Sequence, residues 1–161
     1  MEAKAKLLGH PIHQMLIAFP LGLLATSLFF DIAWLVAKRN ELAVVSYWMI
    51  FAGVISGLIA AVFGLIDFLG IPSGTRAKKV GALHGIGNVV VVVLFAASWF
   101  VRRDNPGVPA TSAIFLSALG VGLALFTGWL GGELVDRHAI GVHDDADLNA
   151  RNSLARDKVS S

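Results

Sequence analysis

Four long stretches almost free of charged residues constrain this chain more than any other feature of its sequence. Histidine apart, two of them hold one charged residue each, Asp31 and Asp67, and the other two, residues 80–101 and 105–132, hold none. A helix needs about 20 apolar residues to cross a hydrocarbon core of ~30 Å. Each stretch is therefore long enough to cross a membrane once.

The composition excludes several other classes of protein. Hydrophobic residues make up 56% of the chain and charged residues only 15%, whereas soluble domains are about one-quarter charged. The Lys and Arg residues are scattered between the apolar runs and form no basic stripe, so no nucleic-acid partner is expected. Cysteine is absent, which excludes disulfides, thiolate nucleophiles and cysteine-ligated metals.

The apolar runs predict an all-α integral membrane protein built as a four-helix bundle. Short loops with Gly, Pro and charged residues separate the runs, so neighbouring helices are expected to be antiparallel, in up-down-up-down order. We expect a transmembrane domain over residues 1–143 and a polar C-terminal tail over residues 144–161. The predicted helices span residues 14–37, 45–69, 80–101 and 112–135.

The distribution of positive charge predicts the orientation. Four crossings place both termini on the same side of the membrane, and only four of the 13 Lys and Arg residues fall on the opposite side: Lys38, Arg39, Arg102 and Arg103. Because positively charged segments tend to stay in the cytoplasm, an N-in/C-in arrangement is predicted. The first apolar run is too long for a secretory signal peptide and lacks its cleavage site, so we interpret it as a retained helix.

Alternating crossings bring all five histidines and two acids to the face that carries the termini. Ionisable side chains in membrane helices are costly and indicate a functional site when a partner is available. Imidazole and carboxylate together suit Fe, Zn, Mn or Cu, so the sequence predicts a transition-metal site. The predicted ligands are His13, His84, Glu133 and His138. Additional ligands, or residues that orient the ligands, are His10, Asp67 and His143.

Haem b is the alternative cofactor. Two histidines on facing helices, His13 and His84, could ligate the iron axially. Three glycines near His84, namely Gly81, Gly85 and Gly87, would leave room for a flat macrocycle. The carboxylates have no role in that arrangement, which favours the non-haem metal.

The two halves of the chain also resemble each other. His13 leads a helix whose successor ends at Asp67, and His84 leads a helix whose successor ends at Glu133. This pattern predicts two helical hairpins related by an axis along the membrane normal. Both acids also have a structural interpretation, in which they form helix-end hydrogen bonds or pair with nearby cations; Arg137 follows Glu133 at the favourable spacing of four residues.

Two further polar residues lie inside the apolar runs. Asn88 lies one turn after His84, and it either orients that ring or bonds a neighbouring helix. Asp31 is expected to pair with Lys38 or Arg39, which follow it closely, or to bond a neighbouring helix.

Several short motifs resemble those of a family of small predicted bacterial membrane proteins known only as a domain of unknown function, number 2231. The resemblance covers about residues 8–143 and implies a four-helix membrane domain, with a loose kinship to b-type cytochrome bundles and no established activity. Gln14 and Ala18 stand where members of that family often have Pro and His. The motifs are His10-Pro11-Ile12-His13, Phe19-Pro20-Leu21-Gly22, Gly64-Leu65-Ile66-Asp67-Phe68, and Gly128 through His138.

Together these features predict a small multi-pass protein of a bacterial inner membrane that binds a transition metal and has a redox or metal-handling role. Hydrolase and nucleotide-binding motifs are absent from the sequence, so we do not expect an enzyme by itself. Two alternatives stay open: a b-type haem subunit for electron transfer, and a cofactor-free accessory subunit of a larger membrane complex. The expected partners are the lipid bilayer and either other membrane subunits or further copies of the chain.

Overall fold

The computed structural model describes residues 1–154, and the part described is mainly helical. A two-residue β-ribbon precedes the helices, and its strands pair antiparallel. The elements are β1 (Lys6–Leu7), β2 (His10–Pro11), α1 (Ile12–Leu16), α2 (Ala18–Ala37), α3 (Asn40–Gly70), α4 (Arg76–Val101) and α5 (Thr111–Asp136).

Four segments are long and apolar enough to cross a membrane, as the sequence predicts. They are α1 with α2 together, α3, α4 and α5. The break between α1 and α2 is slight, because Ile17 keeps a helical backbone and its N–H bonds the carbonyl of His13. The all-α four-helix membrane bundle is thus confirmed, while the N-in/C-in orientation stays a prediction. Of the predicted polar tail, residues 155–161 lie outside the described residues.

Local signals end α2 and begin α4. Lys38 ends α2 with a left-handed backbone, φ 55°, and its N–H bonds the carbonyl of Trp34. Gly74, at φ 81°, turns the chain between α3 and α4. Thr75 then caps α4, since its side chain accepts a hydrogen bond from the N–H of Lys78. Consecutive helices consequently pack as antiparallel hairpins.

The centre of the bundle is apolar, and glycines let its helices approach closely. Leu24, Ile50, Val91 and Phe95 form one buried cluster. A Cβ on Gly53 would come within 2.5 Å of Leu24, and a Cβ on Gly120 would come within 2.7 Å of Phe95. Small residues at such crossings allow the close packing that holds membrane helices together.

These contacts reveal a repeat between the two hairpins, α1/α2–α3 and α4–α5. In the first hairpin Leu24 of α2 rests on Gly53 of α3, and in the second Phe95 of α4 rests on Gly120 of α5. The bulky residue is contributed by the leading helix and the glycine by the returning helix in both cases. The repeat indicated by the sequence therefore extends to the packing of the core.

A buried ion pair lies at the end of the bundle away from the termini. Arg102 donates to both carboxylate oxygens of Asp31, at 2.8 and 3.1 Å. The side chains of both residues are 0% exposed. Serine hydroxyls from three helices complete the shell of the guanidinium: Ser46 at 3.2 Å, Ser98 at 3.0 Å and Ser117 at 3.4 Å.

The predicted pairing of Asp31 with Lys38 or Arg39 is wrong, and its alternative, a bond to another helix, is what the structure shows. Lys38 places its ammonium over the ring of Trp34. Arg39 extends outward to Glu41, 3.8 Å away. Both cations follow the end of α2, where water is accessible, whereas the carboxylate of Asp31 faces the interior of the bundle.

Candidate functional site

Two histidines from different hairpins meet near the end of the bundle that carries the termini. His13 lies in α1 and His84 in α4. Their ring centroids are 6.4 Å apart, and the ring planes are nearly perpendicular, at 89°. The pair is half-buried.

Each ring is held by a backbone carbonyl of the returning helix of its own hairpin. Nδ1 of His13 lies 2.9 Å from the carbonyl oxygen of Ala60, and Nδ1 of His84 lies 2.8 Å from that of Thr127. Because a carbonyl can only accept, each Nδ1 carries the proton and donates. The neutral ring then has its lone pair on Nε2.

Glycines give the rings the room that these bonds require. Four residues after Ala60, a Cβ on Gly64 would lie 2.8 Å from Nδ1 of His13. Four residues after Thr127, a Cβ on Gly131 would lie 3.1 Å from the ring of His84. The histidine, carbonyl and glycine arrangement is therefore repeated in the two hairpins.

Asn88 ties the second ring into a small network. Its Nδ2 donates to the carbonyl of His84 at 2.9 Å and lies 3.2 Å from Nε2 of the same ring. Its Oδ1 accepts from the hydroxyl of Thr127 at 3.1 Å. Both predicted roles of Asn88 are thus observed together, since it orients the ring and bonds a neighbouring helix. Within residues 1–154, Nε2 of His13 has no hydrogen-bond partner.

Ala60 and Thr127, whose carbonyls hold the two rings, are members of this site that sequence reasoning missed. A single threonine in an apolar run gives no signal by itself. The signal is its position four residues before Gly131, which matches the position of Ala60 before Gly64.

Asp67, a predicted ligand, is used elsewhere. Its Oδ1 accepts hydrogen bonds from the backbone N–H groups of Lys4, at 2.6 Å, and Ala5, at 3.0 Å. Asp67 therefore anchors the N-terminal segment to the end of α3, in line with its structural interpretation.

His10 and His143 contact residues near the two ends of the described part of the chain. Nε2 of His10 lies 3.3 Å from the hydroxyl of Ser153. His143 places Nε2 3.2 Å from a carboxylate oxygen of Glu2, and its Nδ1 contacts Asp145. The hydrogen bond from Lys6 is the largest cause that lowers the pKa of Glu2 below its ordinary value of 4.5, and the backbone N–H of Asp144 and His143 add to it.

Glu133 and His138 lie at a third place. With Arg76 and Arg137 they line a cavity of about 400 Å³ at the ends of α4 and α5. The described residues contain no ion pair between Glu133 and Arg137, although their spacing favours one.

The seven predicted ligands are consequently distributed over several places. Nowhere in residues 1–154 do three or more His, Asp or Glu side chains converge in a way that could hold a metal ion. The physical reason is that alternating crossings fix the depth of a residue but leave its position around the bundle open. Among the described residues, His13 and His84 form one pair of predicted ligands that share both depth and position, and Glu133 and His138, which line one cavity, form another.

The glycines near His84 suggest room for a macrocycle, but side chains of other helices fill most of that space. A Cβ on Gly81 would meet Phe68 at 3.1 Å, and one on Gly87 would collide with Thr127. Only Gly85 faces open space. Two of these three glycines thus serve helix packing.

The sequence model of the family described as "Predicted membrane protein (DUF2231)" matches residues 9–144, most of the chain. This chain belongs to that family. The resemblance read from the sequence motifs is therefore confirmed. No curated protein and no solved structure matches the chain. Membership in DUF2231 establishes a membrane protein, while the bacterial inner membrane stays a prediction.

Proposed function

We propose that this DUF2231 protein binds a transition-metal ion between His13 and His84 and has a redox or metal-handling role in the membrane. The observation that carries the proposal is the paired arrangement of the two rings, 6.4 Å apart, with both Nδ1 atoms bonded to backbone carbonyls. A metal ligand needs an unprotonated nitrogen on a ring of fixed orientation. Nε2 of His13 meets this condition as it stands, and Nε2 of His84 meets it once Asn88 releases it.

The separation of the rings suits a shared ion. An ion about 2.0–2.1 Å from each of two imidazole nitrogens, and nearly in line with them, places the ring centroids about 6 Å apart. The observed centroid distance of 6.4 Å lies close to that value. The distance thus fits one ion between the rings when both Nε2 atoms are turned toward it.

The carbonyl bonds support the same conclusion. Histidines that bind metals almost always donate their other ring N–H to a carbonyl, a carboxylate or water, which fixes the ring and makes the ligating nitrogen more basic. Both rings satisfy this condition through Ala60 and Thr127. Asn88 would have to release Nε2 of His84, but it keeps its stronger contact with the carbonyl of that residue.

Two imidazoles leave coordination positions open. Imidazole suits Zn, Cu and Fe, whereas Mn prefers oxygen ligands, so the first three are the expected ions. Open positions allow exchange of a bound ion or reaction with a small ligand. Such a site fits transfer of a metal or an electron better than a structural role, which normally uses four protein ligands.

Haem b is a second candidate because two histidines from different helices lie close together and could ligate its iron axially. The filled space at Gly81 and Gly87 weighs against it. A cofactor-free accessory subunit is the third candidate, supported by the closed network of His84, Asn88 and Thr127.

One set of measurements separates the three. The full chain is purified in detergent, incubated with Zn, Cu or Fe salts, passed through a desalting column and analysed for bound metal and for its absorption spectrum. The proposal predicts about one ion per chain, lost in His13→Ala and in His84→Ala. His143→Ala is the matched control, because this exposed histidine lies outside the pair.

Each outcome has a definite meaning. A Soret band that disappears in both variants would show that the two histidines bind haem and would overturn the proposal of a non-haem ion. Absence of both metal and haem, with stability unchanged by chelators, would overturn the proposal and favour the accessory subunit.

A further inference from the structure

The cavity between the ends of α4 and α5 carries an unbalanced set of charges. It is lined by Arg76, Glu133, Arg137 and His138 and has a volume of about 400 Å³. Neither His13 nor His84 is among its lining residues, and it has no role in the function proposed above.

The two guanidinium groups are available for an anion. Arg76 and Arg137 are exposed, and neither guanidinium group has a hydrogen-bond or ion-pair partner in residues 1–154. Arg76 is the first residue of α4, whose first turn contains no acid, so the positive end of that helix adds to the charge. The planar fork of an arginine matches the oxygens of a phosphate, which can bind two N–H groups at once.

The depth of the cavity identifies the source of the phosphate. Of the candidate spans, α4 begins at Arg76 and α5 ends at Asp136. The cavity between these two helix ends therefore lies where the hydrocarbon core gives way to the headgroups. Trp129, one turn before Glu133, is 61% exposed on the outer surface of α5. Tryptophans mark this interfacial level of a membrane. Basic pockets between helices at this level bind lipid headgroups.

Glu133 restricts which headgroup fits. Its half-buried carboxylate faces the same cavity as the two arginines. A phosphate alone would oppose that negative charge, whereas a phosphodiester that also carries an amine or a hydroxyl would donate a hydrogen bond to it. The cavity is therefore complementary to a headgroup with an acceptor part and a donor part.

We propose that this cavity binds a phospholipid headgroup, with its phosphodiester on Arg76 and Arg137 and its amine or hydroxyl on Glu133. Phosphatidylethanolamine and phosphatidylglycerol have both parts. Phosphatidylcholine has the phosphodiester but lacks a strong hydrogen-bond donor.

The test measures lipid binding to the full chain in detergent by native mass spectrometry, in the presence of each of the three lipids or of inorganic phosphate. Phosphatidylethanolamine or phosphatidylglycerol is expected to bind about tenfold more tightly than phosphatidylcholine, the effect of about one good hydrogen bond to a charged group. Arg76→Gln and Arg137→Gln should each weaken binding of every lipid by a similar factor. Glu133→Gln should abolish the preference over phosphatidylcholine without a comparable loss of phosphatidylcholine binding.

Arg103→Gln is the control, because Arg103 is also exposed but lies near the opposite end of the bundle, beside Asp104. Circular dichroism establishes that each variant keeps its helices. Equal binding of all three lipids, or arginine variants that bind like the control, would overturn the proposal. So would inorganic phosphate that displaces the lipid at equal concentration, since the site would then recognise the free ion.

Discussion

Arg102 donates hydrogen bonds to both carboxylate oxygens of Asp31, which lies 71 residues earlier in the chain. The pair is fully buried, and serines of α3, α4 and α5 surround the guanidinium. Since Asp31 belongs to α2, all four spans contribute to one polar group. Nε of Arg102 is the one atom of its guanidinium without a partner among the described residues.

Removing the arginine should unfold this end of the bundle. Arg102→Ala leaves the carboxylate of Asp31 buried without a partner, and breaking such a pair costs about 3–5 kcal/mol. Thermal unfolding in detergent, followed by circular dichroism, measures the loss. Arg103→Ala, which truncates the exposed neighbour, should change stability by about 0.5 kcal/mol or less. Equal melting temperatures for the two variants would contradict the prediction.

Exchanging the two charges should restore part of the lost stability. The positions are equivalent in the two hairpins, and Ser27 precedes Asp31 as Ser98 precedes Arg102. The single variants Asp31→Arg and Arg102→Asp bury like charges together, whereas the double variant forms the pair in reverse. Unfolding measurements on all three give the coupling energy, expected at about 1–3 kcal/mol in favour of the double variant. A double variant no more stable than either single one would show that the positions are not equivalent.

Filling the space beside the histidines should disturb them selectively. Gly64→Ala and Gly131→Ala push a methyl group against the rings of His13 and His84, at a cost of about 1–3 kcal/mol. Under the proposed function both variants also lose metal, because the rings turn away from their carbonyl partners. Gly22→Ala and Gly128→Ala are matched controls, since a Cβ at either position meets nothing within 4 Å. Metal analysis and thermal unfolding of the four variants should separate them into these two pairs.

Asn88→Ala should separate stability from metal binding. The variant loses the contacts to His84 and leaves the hydroxyl of Thr127 with the carbonyl of Ala124 as its acceptor, so the lost hydrogen bonds cost about 1 kcal/mol. Nε2 of His84 becomes free at the same time, so affinity for the ion should not fall. A titration with Zn and an unfolding curve measure the two effects. A parallel loss of both would count against coordination by Nε2.

Acid should loosen the N-terminal segment through Glu2. The pKa of Glu2 is held below 4.5, mainly by the hydrogen bond from Lys6, so its carboxylate favours the folded segment above that pH. The contribution is lost as the pH falls from 4.5 through the lowered pKa. Hydrogen exchange of residues 1–11, corrected for intrinsic rates, should increase over that range. Glu2→Gln should show the faster exchange already at neutral pH, whereas Glu41→Gln, at the opposite end of the bundle, should not.

The sequence predicts depth well and lateral position poorly. Runs without charge are physically required for spans, so the number and order of the helices follow directly from them. The faces that these helices present to one another do not follow, because the lipid-facing and the inward-facing sides of each helix are both mainly apolar. Asp67 illustrates the result: its depth is as predicted, yet backbone N–H groups of the N-terminal segment occupy its carboxylate.

Arg102 shows the same limit at the other end. Beside Arg103 and Asp104 it looks like a residue of a charged loop, but it is 1% exposed. The spacing of 71 residues that relates it to Asp31 also relates His84 to His13 and Phe95 to Leu24. Comparing the chain with itself at that spacing would have found the ion pair.

The opposite signs of Asp31 and Arg102 make the hairpins mutually dependent. A bundle built from two copies of the α1/α2–α3 hairpin would place two carboxylates side by side in its dry interior. A bundle built from two copies of the α4–α5 hairpin would place two guanidinium groups side by side. Each hairpin therefore packs unfavourably against a second copy of itself and favourably against the other hairpin. Because α3 and α4 are joined in one chain, each molecule contains both hairpins in equal number.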